Sequence, residues 1–206
     1  YAEGFLDQLT LPGEISAMSF DPGMGYLAVG SSACTVHLFG SPCVRMALTL
    51  RPALRVKHIL FKSDTYLMIC IDEKDNLNVY DLSRRDPHAA AMHGARRAAP
   101  GQTQMTNSDA PMRIGIHSAR NVVLCAEVTS IHSMLFLGLT DGSVEAYDLE
   151  RFCGTQYRIP NLWWNEEEIL RRSQVPNAPS RLHTPLIIDI HTHPRDPGNL
   201  LLCYEG

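Results

Sequence analysis

The chain has 206 residues, 45% of them apolar, and a formal net charge of −4. That length is sufficient for one globular core. The mild acidity disfavours a nucleic-acid-binding surface, because such surfaces need clustered lysine and arginine. Its longest apolar runs are too short for a membrane span, and no secretory signal opens the sequence. Because the chain starts at Tyr1 rather than at a methionine, we expect further chain before it.

Cysteine usage indicates a reducing compartment. Neither a C-x-x-C pair nor an N-x-[ST] acceptor occurs in the sequence. Most of the cysteines sit inside apolar runs, where a reduced thiol behaves as a small hydrophobic side chain. We therefore predict structural thiols in a cytoplasmic protein. The six cysteines are Cys34, Cys43, Cys70, Cys125, Cys153 and Cys203.

The first repeated unit occupies residues 15–50. A strand is predicted over Ile15–Phe20, followed by the segment Gly25–Gly40, which holds an apolar run, a polar turn and an alternating run that ends in Phe39. A further strand is predicted over Val44–Leu50. Four antiparallel strands in sequence are typical of a propeller blade.

The same order returns along the chain. The second unit has strands at Val56–Phe61, within Thr65–Leu82 and at Met112–His117, and the third has them at Val122–Val128, within Ser133–Leu149 and at Thr155–Ile159. The fourth unit begins with Ile187–Thr192 and Asn199–Gly206, where the sequence stops. We align one column as Leu27, Leu67, Leu135 and Leu200, and a small-residue column as Gly30, Cys70, Gly138 and Cys203.

The spacing of the units fits a WD-repeat-like propeller. Gly30 and Cys70 are 40 residues apart, close to the WD-repeat period of about 40–45 residues. The next two intervals, 68 and 65 residues, each contain an insertion of about 25 residues relative to that period. We predict an all-β fold comprising a partial propeller over residues 1–206, with about three and a half of the ~4–8 blades that close such a ring. Since an incomplete ring leaves sheet edges open, we expect more chain to follow.

The two insertions differ in composition. Residues 83–111 are rich in Ala, Arg, Gly and Pro without apolar periodicity, and are predicted to be a disordered loop. Residues 162–184 are predicted to hold a short inter-blade helix. Asn165 is suited to cap it, Glu166–Glu168 favour its first turn, and Arg171 and Arg172 favour its last.

Three segments resemble the lethal giant larvae/tomosyn family. They are ISAMSFDPGMGYLAVGSSACTVHLFG from Ile15, YRIPNLWW from Tyr157 and THPRDPGNLLLCYEG from Thr192. The resemblance covers nearly all of the chain except residues 83–111, and that basic, Ala-rich insertion is more similar to a filamentous-fungal version than to an animal one. The units depart from ordinary WD repeats, since Tyr80-Asp81 and Tyr147-Asp148 stand where Trp-Asp would be.

The resemblance implies a non-catalytic scaffold in regulated exocytosis and cell polarity. Such proteins have two seven-bladed propellers in tandem, so the resemblance implies that residues 1–206 are about three and a half blades of a seven-bladed N-terminal propeller. They bind plasma-membrane SNAREs of the syntaxin type. Some members bind Rab-type GTPases or myosin II. The expected location is cytoplasmic, peripheral at the plasma membrane. No catalytic, cofactor-binding or metal-binding residue is expected, and no cofactor.

Two adjacent tryptophans are the candidate partner contacts. Trp163 and Trp164 lie in the second insertion. Exposed aromatic side chains are frequent hot spots in protein interfaces. The same side chains are also suited to packing the insertion onto its blade, and the sequence leaves both interpretations open.

Two alternative functions remain. The segment IIDIHTHPRDPG, residues 187–198, is similar to the D-x-H-x-H start of metal-dependent cyclic amidohydrolases. A spacing of two places His191 and His193 on one strand face, where two imidazoles can hold a metal that activates water. That motif belongs at the end of the first strand of a β/α barrel, however, and this sequence repeats as sheet units. The third possibility is a generic WD-repeat scaffold in another pathway.

Overall fold

The computed structural model describes residues 11–40, 44–85, 110–129, 132–162, 186–193, 195–196 and 198–205. All regular elements in these ranges are β-strands, and every neighbouring pair is antiparallel. They form three four-stranded sheets and one two-stranded sheet. No helix long and apolar enough to cross a membrane occurs within the described ranges.

Each sheet contains strands that are consecutive in the chain. The first has β1 (Ile15–Asp21), β2 (Tyr26–Ser31), β3 (Thr35–Gly40) and β4 (Val44–Thr49). The second has β5 (Val56–Phe61), β6 (Leu67–Asp72), β7 (Asn76–Arg85) and β8 (Pro111–Ser118). The third has β9 (Val123–Val128), β10 (Met134–Leu139), β11 (Val144–Asp148) and β12 (Cys153–Ile159). The last pairs β13 (Ile187–Thr192) with β14 (Leu200–Tyr204).

The sheets stack side by side as blades. The first strands of successive sheets contact one another, β1 with β5, β5 with β9 and β9 with β13, and these are the inner strands. Three apolar cores fill the three spaces between the four sheets. The predicted incomplete propeller of about three and a half blades is therefore confirmed.

The blades interlock through the start of each inner strand. Each inner strand has a β-bulge near its start. In the second, third and fourth blades, the first residue of this strand and the residue three positions later pack towards the preceding blade. Val56 and Ile59 insert against Gly30 in this way, and a methyl group on Gly30 would lie 3.0 Å from Cβ of Val56. A side chain at this position would require Val56 and Ile59 to shift by a few tenths of an ångström, so glycine suits the close approach of the two blades.

The third and fourth blades repeat this contact. A methyl group on Gly138 would lie 2.7 Å from Cγ2 of Ile187 and 3.2 Å from Cδ1 of Ile190. In the first blade the corresponding residues are Ile15 and Met18, which are 59% and 65% exposed. The pair that is buried between blades elsewhere thus faces outward at this end of the described structure.

The alignment of equivalent residues predicted from the repeat is wrong by one residue in the second blade. The pairing of β5 with β6 aligns Ile71 and Met68, not Cys70 and Leu67, with Gly30 and Leu27. Since side chains alternate across a strand, a shift of one residue reverses the face. Cys70 and Met68 accordingly pack in the core towards the first blade, whereas Ile71 packs in the core towards the third.

The insertion boundaries also change. Strand β7 extends to Arg85, and Pro111 begins β8, so both ends of the predicted loop 83–111 belong to the second sheet. The extra residues keep the backbone groups of an outer strand paired. Residues 86–109 lie outside the described residues, as do 163–185, which include the predicted short helix and both tryptophans.

We predict that Gly138→Ala lowers the free energy of unfolding by about 1–3 kcal/mol, the usual cost of overpacking. The added methyl group would lie 2.5 Å from Sγ of Cys125 as well as against Ile187. The measurement is chemical denaturation of the protein. Adding Cys125→Ala should recover part of the loss, because it removes one of the clashing atoms.

The matched control is Gly198→Ala. Gly198 is exposed, and a methyl group there has ordinary van der Waals contact with Asp196 only. Equal destabilisation by the two substitutions would contradict the interlocking of the third and fourth blades.

Candidate interaction surface

A cavity of about 260 Å³ lies where the inner strands of three blades end. The carboxyl-terminal ends of β1, β5 and β9 form its wall, with Phe20, Phe61 and Val128 at equivalent positions of the three strands. Because inner strands surround the axis of a propeller, this cavity occupies the central channel. We call it the axial cavity.

Two carboxylates give the axial cavity its charge. Asp21 lies at the end of β1 and is 1% exposed; its Oδ1 accepts a hydrogen bond from the Gly23 backbone N–H at 3.0 Å, while its buried Oδ2 has no hydrogen-bond partner. Glu127 is partly buried on β9, and its Oε1 accepts a hydrogen bond from Thr192 Oγ1 at 3.2 Å. Among the residues that the structure describes, ten line the axial cavity, and none of these ten is basic.

Asx-type turns fix the strand ends around this site. The bond from Gly23 N–H to Asp21 closes the turn after β1, a role that aspartate fills readily. Gly25 follows with a φ of 67°, a left-handed conformation that glycine adopts without strain. The sequence Asp-Pro-Gly-x-Gly therefore determines both the turn and the position of the Asp21 carboxylate.

Polar contacts between blades hold the second and third inner strands in register. Asp75 accepts hydrogen bonds from Lys57 Nζ at 2.8 Å and from the Val123 backbone N–H at 3.0 Å. Lys62 donates to Ser133 Oγ, which in turn donates to Glu150. Lys62 lies in the chain between Phe61 and Ser63, which line the axial cavity. Its ammonium group nevertheless binds Ser133 of the third blade rather than Asp21 or Glu127.

The two histidines of the amidohydrolase-like motif lie in an antiparallel hairpin. His191 is on β13, with its Nε2 3.0 Å from Asp189 Oδ2, and both side chains are more than half exposed. His193 Nδ1 accepts hydrogen bonds from the backbone N–H groups of Arg195 and Asp196, and so closes the turn towards β14. His193 occupies the position equivalent to Asp21, as the repeat predicts. The amidohydrolase alternative gains no support, because this environment is not a β/α barrel.

Leu162, which immediately precedes Trp163 and Trp164 in the sequence, contacts the fourth blade. The Leu162 backbone N–H donates to Tyr204 Oη at 3.2 Å, and Tyr204 Oη donates to the Gly142 carbonyl at 3.2 Å. Trp163 and Trp164 themselves lie outside the described residues, so both interpretations of them remain predictions.

The described cysteines are free thiols. Burial raises the pKa of the Cys125 thiol to about 11, and burial also raises the pKa of Cys70. Both therefore stay protonated at neutral pH, and a protonated thiol is a poor nucleophile and metal ligand. These two cysteines act as small core side chains, as predicted. Cys153 is exposed, and Cys43 lies outside the described residues.

Comparison with curated proteins finds several lethal giant larvae proteins among the relatives. Over 193 residues the chain is 25% identical to the lethal(2) giant larvae protein homolog SRO77 of Saccharomyces cerevisiae, covering 94% of this chain and 15% of that protein. It is 22% identical over 194 residues to lethal(2) giant larvae protein homolog 1 of Bos taurus, covering 94% of this chain and 18% of that protein.

A mouse relative, LLGL scribble cell polarity complex component 2, is 23% identical over 205 residues, covering 94% of this chain and 17% of that protein. The sequence matches no family model. The chain thus spans less than one fifth of the length of each relative. These alignments, together with the incomplete propeller, show that the chain is similar to lethal giant larvae proteins over most of its length.

Proposed function

We propose that this chain is part of a non-catalytic scaffold that regulates vesicle exocytosis and cell polarity. The observation that supports the proposal best is the alignment with lethal giant larvae proteins across 94% of the chain. The name of the mouse relative assigns that protein to a cell polarity complex. A stack of rigid blades suits such a role, since it presents loops and strand ends at fixed positions.

The proposed partners are plasma-membrane SNAREs of the syntaxin type. Rab-type GTPases and myosin II are further proposed partners, and the proposed location is cytoplasmic, peripheral at the plasma membrane. Trp163 and Trp164 are the proposed contact residues, because two adjacent aromatic side chains offer a large contact area in a protein interface.

We predict that the full-length protein binds a purified plasma-membrane SNARE complex in a pull-down. An unrelated propeller protein of similar size is the control for non-specific adsorption. Replacing Trp163 and Trp164 together by alanine should weaken binding by about 2 kcal/mol or more, the scale of an interface hot spot. Absence of binding by folded full-length protein would contradict the exocytosis proposal and favour a scaffold in another pathway.

We also predict that the purified protein contains no stoichiometric zinc and that His191→Ala leaves its metal content unchanged. His193 Nδ1 already accepts two backbone hydrogen bonds, and His191 is engaged with Asp189. Elemental analysis after dialysis checks this. Stoichiometric zinc that disappears in His191→Ala would contradict the scaffold and revive the hydrolase alternative.

A further inference from the structure

We propose that the axial cavity binds a positively charged side chain, arginine or lysine, of a protein partner. The inference rests on the proposed scaffold function and names the chemistry of one partner contact. The described residues line a space of about 260 Å³, which is enough to admit one inserted side chain.

Charge is the first reason. Asp21 and Glu127 are the charged residues of the lining, and both are acidic. The unpaired Oδ2 of Asp21 is buried, which is costly for a carboxylate without a compensating charge. A cation inside the cavity would supply that charge, because a charge a few ångströms away attracts the Asp21 carboxylate even without touching Oδ2.

Aromatic side chains at the same place are the second reason. Phe20 is 60% exposed and lines the axial cavity together with Phe61. An aromatic face within about 6 Å attracts a cation through its quadrupole. Carboxylates and aromatic rings that line the same cavity form a combination that favours guanidinium or ammonium groups.

Other occupants fit less well. The described residues contain no group of three or more His, Cys, Asp or Glu side chains that could hold a metal ion. The two carboxylates would repel an anion. The hydroxyl of Ser63 and the Glu127 carboxylate instead offer hydrogen-bond acceptors to an N–H donor.

The test uses the full-length protein and a fluorescent peptide with three arginines separated by glycine and serine. Its matched probe has citrulline in place of arginine, which keeps the shape and removes the charge. We expect saturable binding of the arginine peptide by fluorescence polarisation at low salt and no binding of the citrulline peptide. Failure of the arginine peptide to bind, or equal binding of both peptides, would overturn the inference.

Three substitutions locate the contact. Glu127→Gln should weaken peptide binding roughly fivefold, the upper value for a solvated ion pair. Asp21→Asn should weaken it at least as much while keeping the side-chain oxygen that accepts from Gly23. Glu73→Gln changes the charge equally at an exposed position outside the axial cavity and should have no effect. Equal effects of Glu127→Gln and Glu73→Gln would overturn the inference.

The two proposals fail separately. If the full-length protein binds the arginine peptide through Glu127 but captures no SNARE complex, the cavity assignment stands and the exocytosis proposal falls. If it captures SNAREs while Glu127→Gln leaves peptide binding unchanged, the cavity assignment falls alone.

Discussion

The structure depends on how each inner strand inserts into the preceding blade. A sheet with an apolar face must bury it against another element, and here two side chains near the start of one inner strand fill the space left by a glycine in the neighbouring sheet. Val56 and Ile59 against Gly30, and Ile187 and Ile190 against Gly138, repeat the same contact. This spacing brings the ends of β1, β5 and β9 together and so forms the axial cavity.

The interface between the second and third blades solves the same packing problem differently. Ile71 of the second blade stands where the first and third blades have Gly30 and Gly138. Ala126 of the third blade stands where the second and fourth blades have Ile59 and Ile190. Ile71 is buried in the apolar cluster between the second and third blades, and Ala126 packs against that cluster. At this interface the large residue, Ile71, is on the earlier blade and the small residue, Ala126, is on the later blade, the reverse of the other two interfaces. The total side-chain volume between the blades, on which close packing depends, is thereby kept similar.

This exchange explains what the sequence predicted and what it did not. The hairpin turns and most strand bounds follow from local chemistry, since Asp72 and Asp141 accept backbone hydrogen bonds within their own turns. Cys70 was aligned with Gly30 because both residues are small, whereas the residue equivalent to Gly30 is Ile71. Counting back six residues from Leu77, as from Val36 to Gly30 and from Val144 to Gly138, would have identified it. The axial cavity was not predicted, because Asp21 and Glu127 lie more than one hundred residues apart and meet only through blade stacking.

The side chains that pack against Gly30 and Gly138 provide the most direct test of the fold. A structure of the intact protein, determined by cryo-electron microscopy at side-chain resolution, should show Ile59 packed on Gly30 and Ile190 packed on Gly138 between adjacent antiparallel sheets. A structure in which these pairs lay apart, or in which helices surrounded a parallel barrel and His191 and His193 faced a metal ion, would contradict the stacked-blade fold.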